Sequence, residues 1–322
     1  MRSIVVWFDR HQVWLYLGGM LAGAVLGLVF SAAAPVAETL IYPALGLLLY
    51  VTFLGIPISN FKASAAIPRF LGTTLVLNFV LVPVVVFLVS RIVAHDDVLL
   101  LGVLIVLLTP CIDYVIVFAQ RAGGDAKSLL AATPVLMAVQ MLLLPVYLWL
   151  FIGDQLFIVG IVGAFLPAFL WIILVPLIVA GLTQVTAKRW AWAVRVESGG
   201  TTVMVPLMVL TLAIVVASQI SAVHERVFDL LLSVPVYVLF AALMIPIGWG
   251  VACRAKMQVA QQRALVFSGV TRNSLVVLPI VLALPADYAL TPLVVVTQTL
   301  VELCIMVVCI RLVPRLIPSP VH

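Results

Sequence analysis

Ten apolar stretches follow one another along the chain, near 13–31, 36–58, 68–93, 97–120, 126–152, 156–186, 200–220, 227–253, 260–285 and 288–313, separated by short polar interruptions. A helix needs about 20 residues to cross a hydrocarbon core, so the pattern predicts ten transmembrane helices. Two of the stretches are not uniformly apolar. Residues 109–124 read TPCIDYVIVFAQRAGG and residues 268–279 read SGVTRNSLVVLP. They set Cys111 and Asp113 in the fourth predicted helix and Arg272 and Asn273 in the ninth, at a depth where a lone charge costs about 2.5–3.5 kcal/mol on insertion scales.

The positions of the charges give the topology. Of the 17 basic residues, Arg272 lies inside a helix, and only Arg91 and Arg226 fall on one of the two sets of alternate helix ends. All the others, from Arg2 and Arg10 to Arg311 and Arg315, fall on the opposite set. Basic residues gather on the cytoplasmic side, which predicts that both termini are cytoplasmic. The other face is acidic, with Glu38, Asp96, Asp97, Asp154, Glu225, Asp229 and Asp287.

The ten helices repeat at an offset of about 160 residues, so that helices 1–5 correspond to 6–10. Because five is odd, the second copy starts on the opposite side of the membrane. Inverted repeats of this kind, with discontinuous helices meeting near the midplane, are a plan of secondary transporters. The reading is a single all-α transmembrane domain over residues 1–322, with repeats at about 11–153 and 156–317. Helices 4 and 9 are the equivalent pair. Pro110, which has no backbone donor, marks the break in helix 4, and the TRNS run with nearby Gly269 and Pro279 marks the break in helix 9.

Composition removes other classes. The chain is 65% hydrophobic and 9% charged, with a mean hydropathy of +1.33, far from a soluble domain. Its net charge of +5 is scattered through short loops, so nucleic acid is not an expected partner. Cys111, Cys253, Cys304 and Cys309 have no paired spacing, and no nucleotide loop or zinc-ligand motif appears. No cofactor and no enzymatic activity are expected. Trp7, Trp14, Trp190 and Trp192 near helix ends read as interfacial anchors, with lipid as the surrounding partner.

The polar segments carry a family resemblance. LVLNFVLVPVVVF in helix 3, PCIDYVIVFAQRAGGD in helix 4, VQMLLLPVYLWLF in helix 5 and TQTLVELCIMVV in helix 10 resemble the Acr3-type arsenite exporters, within the bile acid, arsenite and riboflavin transporter superfamily. The resemblance implies a panel of helices 1, 2, 6 and 7 and a core of 3–5 and 8–10. It matches Cys111 to a cysteine that handles trivalent arsenic, and Asn78, Gln140, Asn273 and Glu302 to recurrent polar positions. There are departures. The family's Ser-Asn-Asn-Phe-Glu stands here as Thr271-Arg272-Asn273-Ser274-Leu275, and a small residue beside the cysteine is Asp113. Against the bile-acid branch, the sodium-liganding glutamate and glutamine fall on Ser268 and Arg272. A guanidinium has no acceptor for a metal ion, so that sodium site is expected to be absent.

The residues leave alternatives open. Asp113 and Arg272, on crossing elements at comparable depth, are each other's expected partner. They either brace helices 4 and 9 or form the substrate site with proton coupling at Asp113. Cys111 is either packing or a soft ligand for a metalloid. Glu302 is a proton carrier or a neutral brace. Asn78 and Gln140 bond substrate or exposed backbone, and Asn273 and Ser274 complete the candidate substrate site. The expected function is efflux of arsenite or antimonite across a bacterial inner membrane in exchange for protons; the alternative is a carrier of an organic anion whose carboxylate pairs with Arg272.

The charge pattern makes a direct prediction. A topology reporter fused after His322, or inserted between Arg189 and Arg195, should give a cytoplasmic signal, and a periplasmic signal at either point would overturn the ten-helix arrangement.

Overall fold

The computed structural model describes residues 2–30, 33–55, 67–112, 114–153, 169–223 and 227–318. Among these the secondary structure is helical, apart from one isolated bridge between Pro110 and Arg272. Five helices are long and apolar enough to cross a membrane: Pro35–Leu54, Pro68–Val93, Ala126–Ile152, Leu230–Arg254 and Thr291–Leu316. A sixth span arises if Ala191–Gly200 and Thr202–Ser218, bent by 48°, count as one.

The chain divides into two compact units. The first is Met1–Ile58, Gly160–Val227 and Leu278–Leu293; the second is Ser59–Val159, Phe228–Val277 and Val294–His322. This follows the expected panel and core, except that Leu278–Leu293 clusters with the panel helices.

In the first unit, α1 (Arg2–Val29) and α2 (Ala33–Leu54) pack with a helix at Val175–Ala187 and a long one at Ala191–Val223. Small residues set the spacing. A methyl added at Gly23 would lie 2.3 Å from the carbonyl oxygen of Ala213, and one at Gly19 would meet the carbonyl of Val209 at 2.9 Å. Polar groups tie the same helices: the Gln184 amide donates to the carbonyls of Phe53 and Leu54, and the hydroxyls of Tyr50 and Thr183 are 3.0 Å apart. Trp7, Trp14, Trp190 and Trp192 are exposed, as anchors require.

In the second unit, α3 (Pro68–Val93) carries a π-turn at Leu77–Leu81. Pro83 has no N–H for the carbonyl of Phe79; the hydroxyl of Tyr147 donates to that carbonyl instead. The predicted helix 4 is two helices, α4 (Asp97–Leu107) and α5 (Tyr114–Arg121). Asp96 caps α4 by accepting from the amides of Val98 and Leu99. After α6 (Ala126–Ile152), capped by Asp125, and α9 (Val227–Arg254), helix 9 is again two, α10 (Val259–Val270) and α11 (Ser274–Leu282), and α12 (Thr291–Leu316) ends the chain. In chain order α7 and α8 are the first unit's Val175–Ala187 and Ala191–Val223.

One residue departs from its expected setting. Arg263, grouped by sequence with the loop charges, is buried on α10, where it donates twice to the carbonyl of Ile317 and once to that of Ala122. Gly123, at φ +70°, passes so close that a methyl there would lie 2.5 Å from the guanidinium.

The spacing of the first unit can be tested. Gly23→Ala pushes a methyl into backbone and should cost about 1–3 kcal/mol through overpacking. Gly18→Ala, with nothing within 4 Å of the added atom, should leave the unfolding temperature of the purified protein unchanged.

Candidate functional site

The two breaks meet. Arg272 bridges antiparallel to Pro110. The amide of Asn273 donates to the carbonyl of Thr109 at 2.8 Å, and the amide of Cys111 to the carbonyl of Thr271 at 3.3 Å. A helix end leaves several backbone groups without intrahelical partners, and water is not available to satisfy them in an apolar setting. Pairing the two unwound segments satisfies some. Side chains must serve the rest.

Arg272 is the largest of these, and it is completely buried. Its Nη2 donates to Oδ1 of Asn78 at 2.8 Å and to the carbonyls of Ser268 and Gly269 at 2.7 and 2.9 Å, in the last turn of α10. Nη1 reaches the carbonyl of Leu107 at 3.4 Å, at the end of α4. Phe240 lies under the guanidinium at 5.5 Å. A cation at two helix C-termini meets the negative ends of both dipoles. Asn78 is held in turn, its Nδ2 donating to the carbonyl of Thr74 and to Oγ of Ser268, each at 3.0 Å. Its reach depends on close helix contact. Gly269 permits this, since a methyl there would be 3.0 Å from Leu77.

Glu302 on α12 holds the other side of the break. Its Oε2 accepts from the backbone amide of Arg272 at 2.7 Å and from Nε2 of Gln298, and its Oε1 lies 2.6 Å from the hydroxyl of Tyr114. The same hydroxyl is 3.0 Å from the carbonyl of Arg272. One hydroxyl has one hydrogen. When Glu302 is ionised, Tyr114 donates to the carboxylate; when Oε1 carries a proton, the carboxyl donates to Tyr114 and Tyr114 donates to the carbonyl. The geometry accommodates both protonation states. A small cleft lined by Leu107, Tyr237, Phe240, Val270, Gln298 and Glu302 opens beside this carboxyl.

The remaining candidates divide. Asn273 caps α11, its Oδ1 accepting from the amide of Val276 at 3.2 Å, and Ser274 accepts from the Thr299 hydroxyl at 2.7 Å. Cys111 is buried at the crossing. The structure thus brings Asn78, Cys111, Arg272, Asn273, Ser274 and Glu302 to one place. Gln140 is buried on α6, with neither end of its amide bonded among the described residues. Asp113, the partner expected for Arg272, lies outside the described residues; the described contacts of the guanidinium are neutral oxygens and a ring. Glu302 has a partner on its own helix, because Gln298 precedes it by one turn. Cys304 is exposed.

Sequence reasoning missed Tyr114, Gln298 and the hydroxyl of Ser268. Gln298 was visible in principle, as a polar residue four positions before a buried acid. Tyr114 carried no signal, since a tyrosine beside a break looks like packing.

A sequence profile of the Sodium Bile acid symporter family matches residues 42–226. No curated protein matches the chain.

The two amides should behave oppositely. Asn78→Leu strips an acceptor from Arg272 and should lower stability by about 1–3 kcal/mol. Gln140→Leu removes an unpaired buried amide and should leave the unfolding temperature of the purified protein unchanged or raise it.

Proposed function

The chain belongs to the sodium bile acid symporter family and is a membrane transporter rather than an enzyme, and we propose that it is a secondary carrier exporting arsenite or antimonite in exchange for protons. In this reading the helices form two inverted five-helix repeats in a bacterial inner membrane, with both termini cytoplasmic. The crossed breaks are the substrate site. Cys111 supplies the soft sulfur that suits trivalent arsenic or antimony, with Asn78, Asn273 and Ser274 as the polar surroundings. Glu302 carries the proton, Asp113 is a second candidate for that role, and Gln140 contributes an amide to the solute.

The observation that carries the exchange is the double contact of the Tyr114 hydroxyl with Glu302 and with the carbonyl of Arg272. A carrier that exchanges solute for proton needs protonation to alter the site, and this hydroxyl links the two.

Arg272 bears on the choice of substrate. In the organic-anion reading its guanidinium pairs with a carboxylate. Here its Nη2 already serves Asn78, Ser268 and Gly269, and a carboxylate taking it would leave those buried acceptors without a donor, at about 1–3 kcal/mol each. An uncharged metalloid hydroxide makes no such demand. This favours the metalloid.

The test is resistance and flux. An export-deficient bacterium carrying this chain should tolerate several-fold more arsenite, and Cys111→Ser should abolish the gain while membrane abundance stays intact. In liposomes, Glu302→Gln should reduce pH-gradient-driven flux at least tenfold. Full resistance in the serine variant would leave Cys111 as packing and favour the organic anion; gradient-driven flux in the glutamine variant at the normal rate would move the proton site to Asp113.

A further inference from the structure

The guanidinium of Arg272 is bonded in an uneven way. Arginine normally offers a planar fork of donors, and its strong partners use two of them side by side. Here Nη2 alone has three oxygens within 2.7 to 2.9 Å, Nη1 has one at 3.4 Å, and Nε has none among the described residues. The bonding converges on a single atom. The side chain is used as a point cation at the end of a stem.

The oxygens around that point are of one kind. Two are carbonyls in the last turn of α10 and one is the side-chain carbonyl of Asn78, while the carbonyl of Leu107 is met by the neighbouring Nη1. All are neutral, and two helix C-termini add negative dipole ends. Rings of carbonyl oxygens replace the hydration shell of an alkali cation. Unwound backbone and half-helix C-terminal ends are where transporters hold a monovalent ion. Among the described residues the acid at the crossing, Glu302, takes the backbone amide of Arg272 and not its guanidinium, so the described members of the cage include no carboxylate.

We propose that Arg272 is a built-in cation: its Nη2 occupies a cage of neutral oxygens suited to a monovalent alkali ion, so that the protein holds its crossed breaks together without one, and shortening the side chain converts the cage into an alkali-ion site. The charge is permanent at any physiological pH. It cannot dissociate during a transport cycle, which leaves the proton as the only ion that Glu302 and Tyr114 need to exchange. The inference deepens the proton-exchange reading but rests on the cage, and its test uses no transported solute. It therefore fails or survives separately from the choice of substrate.

The experiment is thermal unfolding of the purified protein in choline, sodium and potassium chloride at equal ionic strength. The wild type should unfold at the same temperature in all three. Arg272→Ala should unfold early in choline and gain about 4 °C in sodium or potassium, saturably, as expected for an ion bound only by the folded state. Arg272→Lys keeps a cation on a shorter stem and should accumulate well and stay indifferent to the salt. Stabilisation of the wild type by an alkali ion over choline would overturn the proposal, as would an alanine variant that folds and responds equally to all three salts. Should Arg272→Ala not accumulate, the lysine variant decides: good accumulation supports a requirement for a resident cation, and failure like that of alanine contradicts it.

Discussion

A helix broken inside an apolar environment exposes backbone carbonyls and amides that cannot turn to water, and this protein breaks two at the same place. Most of what surrounds the crossing follows from that constraint. The unwound segments pair with each other through Thr109, Cys111, Thr271 and Asn273. Much of what the pairing leaves over falls to one cation and one acid, with the Tyr114 hydroxyl at the carbonyl of Arg272. Arg272 takes the carbonyls at the ends of α4 and α10, and Glu302 takes the amide of Arg272 itself. The two residues are thus joined through backbone, the amide of Arg272 donating to Glu302, rather than as a salt bridge between side chains.

That arrangement explains the apparent cost of the charges. An arginine at this depth is expensive when alone, but its Nη2 and Nη1 donate to carbonyls that the breaks leave without an intrahelical partner. Removing either side leaves the other exposed. Asn78 belongs to the same accounting: the π-turn in α3 places it where Oδ1 meets the guanidinium and Nδ2 meets Ser268. In contrast, Gln140 stands apart from the network among the described residues.

Part of the helical pattern was legible in the sequence, where an apolar run is long and bounded by charge: Pro68–Val93 and Ala126–Ile152 coincide with predicted segments, and Pro35–Leu54, Leu230–Arg254 and Thr291–Leu316 overlap three more. The breaks were legible too, since Pro110 and the TRNS run interrupt otherwise uniform stretches. The other partners of the guanidinium were not. Sequence sets an acid and a base, Asp113 and Arg272, at similar depth, and Asp113 lies outside the described residues; sequence does not show that carbonyls freed by the break take the same guanidinium. Nor does it show that Tyr114 stands between a carboxyl and a carbonyl, because that position depends on how α5 emerges from the crossing. The burial of Arg263 was not legible for a related reason: a basic residue near a helix end is usually solvated, and here the Gly123 turn and the carbonyl of Ile317 enclose it.

The central claim is that the proton state of Glu302 is transmitted through Tyr114 to the backbone of the break. Infrared difference spectroscopy of the purified protein across an acid titration tests it most directly, through the carbonyl stretch of a protonated carboxyl. The account predicts a band that appears on acidification, is missing from Glu302→Gln, and shifts in Tyr114→Phe, accompanied in the wild type by an amide change that the phenylalanine variant lacks. A Glu302 band identical in wild type and Tyr114→Phe, with the same amide change in both, would contradict it.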